Sequence, residues 1–329
     1  MSGEFTAKNG VKQGGVLSPV LFNIYFDEIL FALEKSGVGC YIGLLFVGAF
    51  AYADDMVLLA PTVCALNKML HAASTFSVDF MISFNASKSK LIIFGVTVGF
   101  EIVIWFQGVA LRPSPYEVHL GMIFGPDIMK RKFQAAINDL YKRTIILLSQ
   151  FRFANHEVKY RLFKSYCMSL YGFQGWDISF QGIENVYVAW RICIRKLLSL
   201  PSRSHKFLLP LIIHDSPIQA QIEKSFVNFF KTLGKSKNVY LKLCKRIIEG
   251  GSRSSLGKSF NFLLAKYGWD RGNLPNVFFM TRDIGRSNVT EGQKRLAGQI
   301  RELLCGRDKG MCILTMGEID DILFVLCVS

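Results

Sequence analysis

Two adjacent acids at the junction of two apolar runs constrain the fold of this chain more than any other feature. Residues 44–53 and 56–60 are almost entirely apolar, and only Asp54 and Asp55 separate them. Short apolar runs joined by two polar residues are typical of a tight β-hairpin, so the sequence predicts a hairpin with both carboxylates at its tip. Aspartate is common in turns for local hydrogen-bonding reasons, which leaves a plain solvated turn as the alternative interpretation.

The apolar flanks favour a functional interpretation of Asp54 and Asp55. We expect residues 51–53 and 57–59 to be buried and to hold the two carboxylates at the edge of a sheet, where they repel each other unless a cation intervenes. Carboxylate oxygens on a rigid turn suit Mg²⁺, which proteins bind through one or two carboxylates together with substrate phosphates. Both acids are therefore predicted metal ligands for phosphoryl-transfer chemistry.

Hydrophobic periodicity predicts an α+β part followed by a mainly helical part. Ser18 and Pro19 have the pattern of an N-cap and a first helical residue, and the apolar stripe from Leu21 to Leu33 is predicted to face a core. Further helices are predicted over residues 66–76, 130–150, 158–170 and 184–200, and further strands over 92–94 and 102–106. Prolines 201, 210 and 217 indicate a linker.

Positive charge is concentrated in the second part of the 329-residue chain. Up to Gly125 there are 7 Lys/Arg and 9 Asp/Glu, whereas from Pro126 onward there are 32 and 16. Such an excess indicates a polyanionic partner, and we expect nucleic acid rather than a membrane. Basic residues on predicted helices are candidate phosphate contacts, with ordinary solvated faces as the alternative: Lys130, Arg131, Lys132, Arg191, Arg195 and Lys196.

Targeting and cysteine signals favour an intracellular protein, cytoplasmic or nuclear. The start of the chain has no apolar stretch of signal-peptide length, and the eight cysteines show no paired spacing, so we expect reduced and mostly buried thiols. Residues 38–53 are too short for a membrane span, and residues 91–110 carry Glu101 in their middle. Buried strands are the better interpretation of both stretches.

Four motifs in order resemble the reverse transcriptases of non-LTR (LINE-type) retrotransposons. Residues 52–55 read YADD, like the palm hairpin of that family, and residues 10–23 read GVKQGGVLSPVLFN, like the motif that precedes it. Residues 84–89 read FNASKS and residues 119–121 read HLG, like the elements that follow. The segments 170–176 and 190–201 are similar to the helical region behind the palm.

The resemblance implies a role for each matching residue. Asp54 would bind catalytic Mg²⁺, with Asp55 beside it. Tyr52 and Ala53 would touch the primer terminus or the incoming nucleotide, with side-chain packing as the alternative role of Tyr52. Gln13 and Gly14 would border the nucleotide pocket and the template, unless Gln13 only satisfies loop backbone groups. Lys88 would neutralise or protonate the leaving pyrophosphate, unless it is an ordinary surface lysine.

The resemblance also implies a division of the chain and a set of partners. Residues 1–125 would be a partial polymerase palm with an antiparallel sheet and helices, residues 126–215 a helical thumb-like region, and residues 216–329 a basic, mainly helical C-terminal region. The partners would be an RNA template, a DNA primer and deoxynucleoside triphosphates. The family's first palm aspartate and its fingers precede the glycine-rich motif, so we expect little or no polymerisation by this chain alone. A non-catalytic nucleic-acid-binding module derived from a retroelement is the alternative.

Overall fold

The computed structural model describes residues 14–95, 102–271 and 294–300, and the chain divides into two compact units, Met1–Glu117 and Val118–Ser329. The predicted α+β class is confirmed, with many helices and small antiparallel sheets. The elements of the first unit are α1 (Ser18–Lys35), β1 (Tyr41–Ile42), β2 (Leu45–Phe46), β3 (Ala49–Tyr52), β4 (Asp55–Leu58), α2 (Val63–Asp79), β5 (Ile104–Phe106) and β6 (Val109–Leu111). Strand β7 (Glu117–His119) lies at the boundary.

Helix α1 begins within one residue of the predicted start but lacks the predicted cap. Ser18 is its first residue rather than its N-cap, Leu17 occupies the cap position, and no side chain caps the helix. Pro19 in the first turn favours the start of the helix, because its fixed φ is helical and it removes one of the N–H groups that would need a partner.

The predicted core stripe of α1 is confirmed only in its second half. Phe26, Ile29 and Leu33 are buried, whereas Leu21 is 56% exposed and Tyr25 is also exposed. The reason is that α2 and the strands supply apolar partners to the last turns of α1, so burial reaches only those turns. The first turns present apolar side chains to solvent.

Strands β1 to β4 form one winding ribbon of two-stranded sheets rather than a broad sheet. Backbone hydrogen bonds join its two hairpins: the Leu59 N–H donates to the Gly48 carbonyl at 2.7 Å, and the Cys40 N–H donates to the Leu59 carbonyl at 3.0 Å. The Phe46 ring packs directly on Gly48, where a Cβ would lie 2.5 Å from a ring carbon. Glycine is therefore required for this close approach.

Helix α2 and the ribbon enclose the main core of the first unit. Thr62 caps α2 by accepting a hydrogen bond from the Ala65 N–H at 3.1 Å. One apolar face of α2 then joins the buried cluster, whose members are Phe26, Ile29, Leu33, Phe46, Met69, Ala73 and Phe76. This cluster holds α1, the ribbon and α2 together.

The strand predictions after α2 are right in one place and wrong in another. Ile104–Phe106 is a strand, paired with Val109–Leu111, but residues 92–94 are not. Only Leu91 forms an isolated bridge, to Pro113. A proline cannot donate to a β-ladder, which explains why pairing stops there. Residues 96–101 lie outside the described part of the chain.

The second unit is helical around one large core. Its elements are β8 (Met122–Phe124), α3 (Met129–Gln150), α4 (His156–Leu162), a π-helical turn (Phe163–Cys167), a 3₁₀ turn (Phe173–Gly175), α5 (Ile183–Leu197), α6 (Leu208–Ile212), α7 (Ile218–Lys235), α8 (Val239–Glu249) and α9 (Ser255–Tyr267). The predicted helices over 130–150, 158–170 and 184–200 are confirmed with shifted ends. Among the described residues, no helix is long and apolar enough to cross a membrane.

The prediction of a linker at the prolines is wrong. Leu208, Leu209 and Ile212 are buried in the same core as α3, α5 and α7, and Pro210 lies within α6. Proline is tolerated there because the first turn of a helix has no internal partner for its N–H groups. Periodicity cannot reveal so short a buried helix.

Candidate active site

The two acids occupy different positions at the tip of the ribbon. Tyr52 pairs directly with Asp55 across β3 and β4, so the two residues between them, Ala53 and Asp54, form the turn. Asp55 is therefore the first residue of β4, and Asp54 belongs to the loop. The predicted hairpin is confirmed, with its tip displaced by one residue.

The hairpin has an inner and an outer face. Ala49, Met56 and Leu58 pack against the main core, and the register places Ala49 opposite Leu58. Alternation along a strand then puts Tyr52 and Asp55 on the opposite, outer face. Tyr52 is 69% exposed and Asp55 is also exposed.

This exposure corrects two expectations. Residues 51–53 are exposed rather than buried, Val57 and Leu58 are only partly buried, and Leu59 is exposed. Tyr52 does not pack into the core, which removes the packing interpretation of its side chain. The physical reason is that a two-stranded hairpin has one face to bury, and here the residues packed on the core are Ala49, Met56 and Leu58 rather than the tyrosine.

The backbone at the tip is strained. Ala53 has a φ of 52°, in the left-handed region that side chains with a Cβ rarely adopt. Backbone strain of this kind tends to occur at functional sites, where the surrounding structure imposes it. The paired strands β3 and β4 hold Ala53 in this conformation, because their pairing extends to Tyr52 and Asp55, the residues on either side of the turn.

The other motif residues of the first unit lie on segments anchored to the same core. Gly14 is exposed, with a φ of 80°, in the turn before α1. Gln13 lies outside the described residues. Lys88 is exposed on a loop after α2, whose residue Phe84 packs against both buried clusters of this unit.

Asn85 shapes the Lys88 loop. Its Oδ1 accepts hydrogen bonds from the Ser87 Oγ at 2.6 Å and the Lys88 N–H at 3.2 Å, and its carbonyl accepts from the Ser89 N–H at 3.2 Å. Lys88 thus extends from an ordered turn, since the asparagine satisfies the backbone around it. Within this motif Phe84 anchors the loop to the core, Asn85 orders the turn and Lys88 is the exposed cation.

The donor set at the hairpin fits a hard cation but is small. Two exposed carboxylates supply the oxygen ligands that Mg²⁺ prefers. Within the described residues, no group of three or more His, Cys, Asp or Glu side chains lies close enough to hold a metal. The two carboxylates can therefore supply only part of a coordination sphere, and a cation bound there would need further oxygens.

Three of the six predicted nucleic-acid-binding residues are used inside the second unit. The Lys132 Nζ donates to the Gly175 carbonyl at 3.2 Å, and burial lowers the pKa of its amine. Arg195 donates from Nε and from a terminal nitrogen to the Ser204 carbonyl, at 3.1 and 2.8 Å. Arg191 forms an ion pair with Glu184 at 2.7 Å. These contacts are intramolecular cross-links, which charge counts cannot distinguish from ligand contacts.

The other three remain on the surface. Lys130, Arg131 and Lys196 are exposed. They keep the predicted accessibility, and their contact with nucleic acid stays a prediction.

Two polar clusters of the second unit were not predicted. Glu223 on α7 is fully buried, where its carboxylate accepts from the Lys266 Nζ at 2.5 Å and from the Tyr267 hydroxyl. Asp215 accepts from the Tyr160 hydroxyl at 2.9 Å and the Lys164 Nζ at 2.6 Å. Their partners are 43 to 55 residues distant in sequence, so no local pattern reveals them.

Comparison with known proteins finds relatives for the first part of the chain. Residues 1–160 match the family model described as reverse transcriptase (RNA-dependent DNA polymerase). Over 87 residues, 26% of this chain, the sequence is 40% identical to the Pol polyprotein of retrotransposable element R2DM from Drosophila melanogaster. Over 83 residues, 25% of this chain, it is 40% identical to an R2 Pol polyprotein from Popillia japonica. Over 53 residues, 16% of this chain, it is 47% identical to one from Nasonia vitripennis.

These matches confirm the resemblance that the four motifs indicate. Residues 1–160 are similar to the reverse transcriptase family, and shorter stretches of the chain are similar to Pol polyproteins of R2 retrotransposable elements. The matched segments cover 8%, 12% and 5% of the length of the three relatives. Most of each relative therefore has no counterpart in the matched segment.

Proposed function

We propose that the chain is part of the RNA-directed DNA polymerase of a non-LTR retrotransposon, with the hairpin tip as part of the nucleotide-joining site. The observation that supports this most is the pair of carboxylates on a strained, exposed turn, fixed by a ladder and a core behind it. In this proposal residues 1–125 are a partial palm, residues 126–215 a thumb-like region and residues 216–329 a C-terminal region. The partners are an RNA template, a DNA primer and deoxynucleoside triphosphates.

The residues of the ribbon would divide the work by their positions. Asp54 in the turn and Asp55 at the start of β4 would hold Mg²⁺. Mg²⁺ would supply positive charge to the phosphate oxygens of the incoming nucleotide and the primer terminus. The exposed Tyr52 ring, directly opposite Asp55, would border the primer terminus or the nucleotide.

The two flanking loops would complete the approach to the substrate. Gly14, at a positive φ and without a side chain, lets the backbone approach a template or nucleotide closely. Lys88 would neutralise or protonate the leaving pyrophosphate. Its ordered loop supports this role, because a cation on a fixed turn loses less entropy when it meets a phosphate.

We propose further that this chain alone polymerises little or nothing. The two-metal scheme for phosphoryl transfer requires more carboxylate oxygens than two neighbouring aspartates supply, and the described residues place no third ligand beside them.

The test is primer extension by the full chain on an RNA template with Mg²⁺. DNA synthesis that disappears in Asp54→Asn but persists in the surface control Asp139→Asn would refute inactivity and support the site. Synthesis that persists in both Asp54→Asn and Asp55→Asn would refute the site.

A second candidate function, nucleic-acid binding without catalysis, is favoured by the exposed cations of the second unit. Lys130, Arg131 and Lys196 are exposed, in a part of the chain with 32 basic and 16 acidic residues. This function predicts binding of RNA or DNA for which the logarithm of the binding constant falls linearly with the logarithm of salt concentration. The binding constant should be the same in Asp54→Asn. Binding independent of salt would contradict it.

A further inference from the structure

We propose that the turn between α3 and α4 is a stacking site for an unpaired nucleobase of RNA or DNA, with Phe153 as the stacking ring. The feature that carries the inference is exposure: the Phe153 side chain is 96% exposed, and the neighbouring Phe151 is exposed as well. For Phe151, Phe153, Trp176 and Trp190 the sequence favours core packing and leaves stacking on bases as the alternative. Of the four, only the two tryptophans are buried. This inference rests on the nucleic-acid partner of the proposed function and specifies where part of it is held.

The turn that presents the ring is held rigidly. The Ala154 N–H donates to the Phe151 carbonyl at 3.1 Å, and the Asn155 side chain caps α4 by accepting from the Val158 N–H at 2.8 Å. The Lys159 Nζ reaches back to the Arg152 carbonyl at 3.0 Å. These three bonds fix the backbone on both sides of Phe153, so the position from which the ring extends is preorganised.

The charge around the ring indicates a polyanion as the occupant. Between Lys142 and Lys164 the chain has six basic residues and one acidic residue. Three of the six form ion pairs, Arg143 with Asp139, Arg161 with Glu157 and Lys164 with Asp215, and the other three are Lys142, Arg152 and Lys159. The Arg152 guanidinium lies over the Phe153 ring, 5.9 Å from its centre. A cation beside an open aromatic face is the combination by which proteins bind single strands, since the ring stacks on a base while the cation meets the phosphate.

The buried layer beneath the turn makes the site separable from folding. Leu147, Tyr160 and Phe163 are buried in the core under this turn, whereas Phe153 contributes nothing to that core. Substitution of Phe153 should therefore leave the fold intact. The loop before α6 offers a matched control, because Phe207 is also exposed and has the Lys206 Nζ 5.4 Å from its ring centre.

The experiment is fluorescence-anisotropy titration of the full chain with labelled oligouridine, oligothymidine and a blunt DNA duplex. We expect Phe153→Ala to weaken binding to single strands about tenfold, as loss of one stacked base does, and Phe153→Trp to retain it. Phe207→Ala should bind within about twofold of wild type. Equal effects on oligouridine and oligothymidine would show that the base is recognised in either nucleic acid, and an effect on one alone would assign the site to that one.

Three results would overturn the inference. Wild-type affinity in Phe153→Ala, or an equal loss in Phe207→Ala, would show that the ring does not stack on a base. A change of sedimentation coefficient in Phe153→Ala with unchanged binding would assign the ring to contact with a second copy of the chain. Absence of any binding by the wild type would instead count against the proposed nucleic-acid partner, so the two failures are distinguishable.

Discussion

At the tip of the ribbon, one alanine adopts a conformation that glycine adopts more easily. Ala53 has a positive φ, whereas Ala51, two residues earlier, lies in regular β3. The left-handed conformation costs an L-residue roughly 1–2 kcal/mol, more than the extra unfolded-state entropy that glycine introduces. We therefore expect Ala53→Gly to raise the free energy of unfolding by about 0.5–1 kcal/mol, measured by urea denaturation.

The control for this prediction is Ala51→Gly on the same hairpin. Ala51 is also exposed, but its conformation carries no strain for glycine to relieve. Its substitution should lower stability by about 0.5–1 kcal/mol. Equal destabilisation by both changes would show that the turn at Ala53 is not strained in solution.

Single residues also mark the limit of what the sequence reveals about the site. The YADD letters correctly predict a hairpin with acids at its tip, because turn preference and apolar flanks are local properties. They do not reveal that Tyr52 faces outward, which depends on the face that packs against Met69 and its neighbours. Nor do they reveal that Lys132 and Arg195 donate to backbone carbonyls, since those partners come from other turns of the second unit.

Between elements, Asp215 joins the loop that connects α6 and α7 to α4 and the π-helical turn, through Tyr160 and Lys164. Burial opposes the ionisation of Asp215 more strongly than any other single effect. Hydrogen bonds from Lys164, Tyr160 and the Ser216 N–H together outweigh burial and hold the pKa of Asp215 below its usual value. A carboxylate with a depressed pKa contributes stability above its unfolded pKa, and that stability is lost as pH falls through the folded pKa.

This linkage predicts the pH dependence of Asp215→Asn. Near neutral pH the variant should be less stable than wild type by about 1–2 kcal/mol, allowing for solvent around the half-exposed lysine. The difference should shrink below about pH 4, when the wild-type carboxylate becomes protonated. Urea denaturation across pH measures it, with Asp139→Asn as the control because that exposed acid only pairs with Arg143 at 3.9 Å. A difference that stays constant down to low pH would contradict the linkage.

Whole elements are predicted best where their own periodicity is strong. The α3 and α5 bounds follow closely from the sequence, since each helix buries one apolar face. Helix α6 is missed because its five residues hold a proline and are too few to show a period. The strand predicted over residues 92–94 is absent for a different reason. Its β-branched residues favour a strand, but the neighbouring bridge is to Pro113, which cannot continue a ladder.

For the molecule as a whole, the separate cores predict separate unfolding. In the described residues the second unit has one cluster of 34 buried side chains, and the first unit has clusters of 7 and 5. Since buried apolar area dominates stability, the first unit should unfold at lower temperature, giving two transitions in differential scanning calorimetry.

Paired core substitutions test this assignment. Met69→Ala removes a fully buried side chain of the first unit. It should lower the free energy of unfolding of that unit by about 2–5 kcal/mol and so shift only the lower transition. Leu209→Ala, equally buried in α6, should shift only the upper transition. One transition that moves with either variant would show that the two units unfold as one.

The shared core of the first unit has a consequence for genetics. The acid tip and the lysine loop both pack through their flanking residues on the buried cluster that includes Met69 and Ala73, neither of which carries a group able to act on a nucleotide. A bulky replacement at Ala73 would disturb the support of both at once. A genetic screen for loss of nucleotide joining would thus recover substitutions in this buried cluster as well as at Asp54. Loss of activity alone would not distinguish residues that support the site from residues that act on the nucleotide.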